Sequence, residues 1–400
     1  MSGPMEGIRV VEMGVWVAGP SAAAILRDWG ADVVKLEPPT GDPFRGLFAS
    51  ALGVSVTVNP PFEVDNRGKR SVALDFTKAE ARAIGRQLLD RADVFVTNMR
   101  PRVLEQFGFG YDDVCKTNPR IVYCSISGYG SDSADRDRAA YDIGAFWSRS
   151  GMAMSLTAPG SEIPQQRGGM GDHMTGMNAA GAISAALFHR ERTGEGQRVA
   201  VSLVRTGIYM MAWDYALEMR LGAKTWPYDR YGAVNPIINC FKTKDDRWIW
   251  LLLLQADRHW PDLIRAVERP DVLEDPRWSN ITARRENGES LVRELDKEFA
   301  KRTMEEWGEV LDRHDVWWAP VNTIAQAIQD PVVQASGAIQ DVAGPDGSFR
   351  IVNTPADFYG TPVGPRGPAP ELGQHTEEVL LELDYDWDRI IALKDGGAIP

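Results

Sequence analysis

Gly7-Ile8-Arg9-Val10-Val11-Glu12, then Gly14, then Ala18-Gly19-Pro20, then Ser21 to Asp28, then Asp32-Val33-Val34-Lys35-Leu36-Glu37: this run decides the fold. Residues 8–12 read as a short apolar strand, which Gly14 and Ala18-Gly19-Pro20 break. A helix is expected from Ser21 to Asp28, carried by Ala22, Ala23, Ala24, Ile25 and Leu26, and Gly30-Ala31 ends it. Residues 32–37 then form a second strand. Strand, turn, helix and strand within about 30 residues make the βαβ module of doubly wound sheets.

The alternation continues outward. Strands are expected at 71–74, 94–96, 121–126 and 198–203, with helices at 78–92, 102–107 and from 173 to about 190. This pattern predicts an α/β fold, a mostly parallel Rossmann-like sheet with helices on both faces. The large domain spans 1–205 and is completed by 330–400. Pro38-Pro39-Thr40-Gly41 opens a loop running to about residue 65. Between Thr225 and Trp318 fall eight of the thirteen tryptophans, which marks a change of character. Residues 241–250 read as a hairpin in which Trp248 and Trp250 alternate with Ile249 and Leu251, as in a strand buried on both faces. Helices follow at 256–267, 283–301 and 304–314. A smaller α+β domain is therefore expected over 225–325, with linkers at 206–224 and 326–375 and a last helix at 376–393.

Lys and Arg total 44 against 56 Asp and Glu, a formal charge of −12, which disfavours nucleic-acid and anionic-membrane partners. The first residues carry no charged-then-apolar leader, and no apolar run approaches a membrane span. Cys115, Cys124 and Cys240 are too few and wrongly spaced for a disulfide framework or a metal site, and five scattered histidines show no ligand pattern. No metal is expected, and a reducing cytoplasm is the default.

In such sheets ligands sit beyond the carboxyl ends of the strands, here residues 15–20, 98–101 and 127–130. One further stretch stands out. Gly168-Gly169-Met170-Gly171-Asp172 places a carboxylate at the end of a glycine-rich turn, where a helix begins. The free N–H groups and positive end of that helix are expected to keep Asp172 ionised and to face whatever it attacks. Asp is also a preferred helix N-cap, and a cap needs no chemistry. Asp142, twelve residues past Gly128-Tyr129-Gly130, is a second acid that could share a cleft with Asp172, or could equally be a cap or turn residue. The cations of Asn66-Arg67-Gly68-Lys69-Arg70, with Arg100 and Arg102, could serve phosphates or form a solvated charge run. Tyr231-Gly232 could be a hinge or a plain turn. Dinucleotide, P-loop and Gly-x-Ser-x-Gly motifs are absent.

With these motifs in place, the chain resembles the class III CoA-transferase family, the CaiB/BaiF type that includes formyl-CoA transferases and α-methylacyl-CoA racemases. The resemblance rests on residues 7–12 with 18–20, on 30–37, on Lys69-Arg70-Ser71-Val72-Ala73-Leu74-Asp75, on Ala92-Asp93-Val94 with Asn98, and on 127–130. Gly171-Asp172, Thr193-Gly194-Glu195-Gly196-Gln197 and Gly373-Gln374-His375-Thr376 extend it. It implies Asp172 as a covalent nucleophile on acyl-CoA, with Asp142 and Tyr141 placing the acyl group. Racemases of the family carry a histidine where Tyr141 stands, which favours transfer over proton exchange. The resemblance implies CoA contacts at Val17, Ala18, Leu74, Asp75, Thr77, Asn98, Met99 and Arg100. Three positions that are cationic in the family are Pro38, Gln106 and Ala139 here, so Arg100, Arg102, Arg138 and Lys69 become candidates for the CoA phosphates. The family's glycine loop corresponds to the region of Tyr231-Gly232, and an interlocked homodimer is implied. Two other readings stay open: a racemase or isomerase with Asp172 as a base, and a non-catalytic CoA-binding protein. Arg45 could hold a second substrate carboxylate, and Trp16 and Trp147 could line an apolar pocket.

Overall fold

The computed structural model describes residues 3–223, 229–344 and 347–400. Six strands make one parallel sheet: β1 (Arg9–Met13), β2 (Asp32–Glu37), β3 (Arg70–Ala73), β4 (Val94–Thr97), β5 (Val122–Ser127) and β6 (Gln197–Ser202). Their order is β3-β2-β1-β4-β5-β6, with every neighbouring pair parallel. The chain winds outward from β1 in one direction and from β4 in the other. The winding reverses between β1 and β4, and that reversal opens a crevice at their carboxyl ends.

Strand periodicity explains why both faces are covered. Val10, Val33, Val94, Val96 and Cys124 point to one face, against Ala22, Ala23, Leu26, Ala180 and Ile183 of helices Ala18–Asp28 and Met170–Thr193. Val11, Val34, Phe95 and Tyr123, one residue out of phase, face Ile84 and Leu88 of helix Ala79–Arg91 and Leu380 and Ile390 near the C-terminus. The helices at 18–28 and 170–193 approach closely because Gly176 has no side chain. A Cβ there would stand 2.1 Å from Ser21 Oγ and 3.0 Å from Ala22 N.

Some elements differ from expectation. The first helix begins at Ala18, not Ser21, because Pro20 falls in its first turn, where its missing N–H is not needed. The stretch expected as a loop to residue 65 contains helices Leu47–Leu52 and Pro60–Asn66, the latter capped by Asn59, whose side chain accepts from Phe62 N. The helix expected after the strand at 198–203, running to about Leu221, is present in two pieces, Leu203–Met210 and Ala212–Leu221, so the linker placed at 206–224 is largely helical; the expected boundary at 224–225 lies outside the described residues. The stretch 326–375 holds parts of two short helices and a hairpin, β10 (Ile339–Gly344) with β11 (Gly347–Val352).

Contacts divide the chain into two units. The first holds the parallel sheet and takes in Gln165–Ala223 and Ala335–Pro400; the second takes in Met154–Pro164 and the segment ending at Gln334. The second unit has an antiparallel sheet of β7 (Cys240–Lys242), β8 (Trp248–Leu251) and β9 (Trp318–Val321). Its core gathers Phe241, Ile249, Trp260, Phe299 and Trp307. β8 is buried on one face only: Ile249 and Leu251 are enclosed while Trp250 is exposed. No described helix is long and apolar enough to cross a membrane.

Beneath the crevice lies a fully buried ion cluster. Glu12 of β1 takes Lys35 Nζ on Oε1 at 2.9 Å and Lys69 Nζ on Oε2 at 2.6 Å. Lys35 also donates to Asp42 Oδ2 at 3.0 Å and Gly14 O at 3.1 Å, and Lys69 to Pro20 O at 2.8 Å and Asn66 Oδ1 at 3.2 Å. Burial by itself would raise the Glu12 carboxyl, but the two ammonium groups outweigh it and hold it below its ordinary value. Removing one member strands the others in a dry site. Glu12→Gln is expected to cost about 3–5 kcal/mol of folding stability in a denaturant titration; a loss within 1 kcal/mol of zero would refute the cluster's structural weight.

Candidate active site

The cleft at the carboxyl ends of β1, β4 and β5 has a volume of about 430 Å³, within the range of small-molecule sites. Val17, Ala18, Asn98, Met99, Arg100, Arg102, Arg138, Tyr141 and Asp172, all singled out from sequence, line it together. The turn after β1 is clamped from two sides. Asn98 accepts from Val15 N at 2.9 Å and donates to Val15 O at 2.7 Å. Asp42, held by Lys35, accepts from Trp16 N at 3.0 Å and Phe44 N at 2.9 Å. The buried ion cluster thus fixes the backbone that carries Trp16.

Helix Met170–Thr193 begins earlier than expected, so Asp172 is its third residue and not its cap. The cap position is Gly169, in a left-handed conformation with φ 75° and no side chain to offer. Asp142 caps this helix from a distance. Its Oδ2 accepts from Gly171 N at 3.2 Å and from Gln166 Nε2 at 2.9 Å, while making no cap bond to its own turn, Ile143–Ser148. Gly171 must be glycine, since a Cβ would lie 2.5 Å from the Phe146 ring. The N–H groups expected to face a substrate are partly spent: Gly171 N–H goes to Asp142 and His173 N–H to Gly169 O.

The helix end expected to keep Asp172 ionised is opposed by the surroundings of that carboxyl. Burial, then the charge of Asp142, push its carboxyl up to about 7. Desolvation and a like charge outweigh the helix end, which acts only locally. His173, which the sequence reading passed over, works in the opposite sense on Asp172. Its Nε2 meets Oδ1 of the buried Asp65 at 3.0 Å. Burial alone would lower the imidazole, but the bond and charge of Asp65, with the charge of Asp172, raise it.

Several expected ligands are placed otherwise. Lys69 is enclosed in the ion cluster, and Arg67 is buried against Asp28. Arg70 pairs with Asp32, Glu378 and Glu382, so the cluster at 66–70 is neither a phosphate site nor a solvated run. Arg45 is committed to both oxygens of Glu37, at 2.8 Å each, and to Pro370 O. Trp147 sits in a small core with Phe146 and Met152 rather than on the cleft. Leu74 is fully buried in the main core, and Asp75 and Thr77 bond each other; none of the three lines the cleft. Of the three positions lacking the family's cation, Ala139 lines the cleft and Pro38 and Gln106 do not. Arg136, not foreseen, joins Arg100, Arg102 and Arg138, so four exposed guanidinium groups border the cleft. Tyr231 and Gly232 belong to the second unit, in a turn where both N–H groups donate to Asp229 Oδ1.

A crevice at a sheet's switch point, rimmed by arginines and containing one carboxylate, has the position and charge of the places where α/β proteins hold small anionic ligands. The profile of CoA-transferase family III matches residues 5–376, and the chain belongs to that family. It is 33% identical to the (R)-2-hydroxy-4-methylpentanoate CoA-transferase of Clostridioides difficile, over 99% of each chain. It is 31% identical to the succinyl-CoA:glutarate CoA-transferase of Mus musculus, over 99% of this chain and 90% of the other. The crystal structure of a CaiB/BaiF family protein from Brucella suis superposes with a TM-score of 0.84 at 28% identity, covering 96% of this chain and 100% of that one.

Asp142→Asn keeps an acceptor for Gly171 N–H but deletes the like charge. The Asp172 carboxyl, followed by carbon-13 NMR, should titrate near 7 in the unaltered protein and clearly lower in the variant. An unmoved midpoint would show that Asp142 exerts no charge effect on it.

Proposed function

We propose that this family III enzyme moves CoA from an acyl-CoA thioester to a carboxylic acid, with Asp172 as the covalent nucleophile. The observation that carries the reading is electrostatic. Among the described residues lining the cleft, Asp172 is the one carboxylate, and four arginines accompany it. Guanidinium groups suit the phosphates of CoA, which Arg100, Arg102, Arg136 and Arg138 would meet in place of the absent cations at Pro38, Gln106 and Ala139.

A carboxylate with a pKa near 7 is ionised to a useful degree at neutral pH and is more basic, hence more nucleophilic, than an ordinary aspartate. An Asp172 oxygen attacks the thioester carbon, the C–S bond breaks, and CoA leaves as the thiolate, giving a mixed anhydride. The thiolate then attacks the Asp172 carbonyl and expels the donor acid, leaving an aspartyl-CoA thioester. The acceptor carboxylate attacks that carbonyl and expels the thiolate again. The thiolate finally takes the acceptor's acyl carbon, and Asp172 departs as a carboxylate. No proton is consumed in the cycle. Asp142 contributes by fixing the helix start and Tyr141 by bordering the acyl group.

Asp172→Ala is expected to lower transfer at least 10³-fold, on the order of 4 kcal/mol in the barrier, and to abolish the covalent adduct that mass spectrometry should detect when the unaltered protein meets acyl-CoA. A variant with full activity would sink the reading. Deuterium exchange at the acyl α-carbon without acceptor acid would replace it with the racemase reading.

The reading includes a homodimer. Helix Ala212–Leu221 has no buried residue, and Tyr209, Trp213, Met219 and Leu221 stand 74–87% exposed, an apolar surface too large to leave to water. Light scattering should give about twice the 44.3 kDa chain mass; a monomer at micromolar concentration would exclude it.

A further inference from the structure

The cleft lining combines two chemistries. Arg100, Arg102, Arg136 and Arg138 supply guanidinium groups. Trp16 and Tyr141, in the same lining, meet edge to face, with ring centroids 6.0 Å apart and planes at 88°. Trp16 leans in turn on Phe44, at 5.9 Å. Each ring is one residue away from the start of the Asp172 helix. Val17 Cγ1 lies 3.6 Å from where a Gly169 Cβ would stand, and Asp142 holds Gly171 N–H.

Both aromatics have left-handed backbones, φ 63° for Trp16 and 43° for Tyr141. Among the described residues only six non-glycine positions do so, and the other four are Asp or Glu. A bulky L-residue adopts this conformation only when its surroundings force it, and such forcing collects at functional sites. The main core does not account for it: Trp16 is half-buried, and Tyr141 is 61% exposed. What forces Trp16 is the clamp of Asp42 and Asn98 on residues 15 and 16, backed by the buried lysine of β2. Three cations of the flanking segments are committed elsewhere: Arg45 to Glu37, and Lys35 and Lys69 to Glu12.

We propose that the Trp16–Tyr141 pair selects the acyl group, favouring monocarboxylic acyl-CoAs with a branched apolar or aromatic side chain and disfavouring dicarboxylic ones. An edge-to-face pair with one half-exposed indole offers an apolar wall, and each methylene it covers changes kcat/KM by about tenfold or more. A free carboxylate against that wall loses its hydration without gaining a partner. The inference rests on the reading of Asp172 as the residue acylated by acyl-CoA.

The experiment measures adduct formation on Asp172 in the full-length protein with acetyl-CoA, 4-methylpentanoyl-CoA, 3-phenylpropanoyl-CoA and glutaryl-CoA. The two apolar thioesters are expected to react at least tenfold more efficiently than glutaryl-CoA. Trp16→Ala should collapse that ratio by tenfold or more, whereas Trp16→Phe, which restores an aromatic edge, should recover most of it. Glutaryl-CoA reacting as well as the apolar thioesters in the unaltered protein overturns the selection while leaving Asp172's role intact. A ratio unchanged in Trp16→Ala overturns the assignment to this pair. Failure of all four thioesters to label Asp172 overturns the nucleophile reading, and this inference with it.

Discussion

One carboxylate between two lysines, all without solvent contact, is the interaction on which the site depends. Glu12 leaves β1 and draws in Lys35 from β2 and Lys69 from the approach to β3. β1 and β2 are thereby tied to each other and to the chain that enters β3. Such a cluster gains little net stability over a well-packed apolar one, because each ion gives up its water. Its return is geometric. Lys35 hands its remaining hydrogen bonds to Asp42 and Gly14 O, and Asp42 then dictates the backbone of Trp16. Burial pushes the Lys69 ammonium down to about 8, so the cluster is tightest where Lys69 stays charged.

A second economy lies in Asp142. One oxygen of that side chain satisfies an orphan N–H of the helix that begins at Met170, and the same charge raises the carboxyl two residues into that helix. Structure and reactivity are coupled through a single group. His173, bonded to Asp65, opposes it, so the ionisation of Asp172 is a balance of burial and two acids, Asp142 and Asp65, against one imidazole. The glycines at 169 and 171 make this possible for separate reasons, one by a left-handed backbone and the other by leaving room for Phe146.

Much of this was legible from residue order. The two-residue period of Val10-Val11, Val33-Val34 and Val94-Phe95-Val96 announces strands covered on both faces, and the turn residues at 14, 30 and 128–130 punctuate them. The cleft walls at 17–18 and 98–102 follow from the rule that ligands sit beyond strand ends. What sequence could not disclose depends on partners far along the chain. Lys69 reads as a surface cation until Glu12, 57 residues away, is seen to enclose it. His173 finds Asp65 across 108 residues, and Gly171 finds Asp142 across 29. Helix Pro60–Asn66 hides in a proline-rich stretch because Pro at a helix start and Pro in a loop look alike. Arg45 looked free because its proximity to Glu37 arises only when the chain turns back at residues 38–42.

The free edge of β3 is covered by chain from the opposite end of the sequence. Ser71 O accepts from His375 N, Ala73 N donates to Thr376 Oγ1, Gly68 N reaches Pro368 O, and Asp75 N reaches Ala398 O. An uncovered parallel edge is an invitation to pair with another chain. During synthesis the sheet therefore emerges from the ribosome with its β3 border unsealed, and it stays so while about 290 further residues, the entire second unit among them, are made at roughly 5–20 residues per second. The chain that closes the sheet lies beyond the whole second unit. The interval of vulnerability to misassociation is set by the order of these segments along the chain, and it lasts until residues 368–398 arrive.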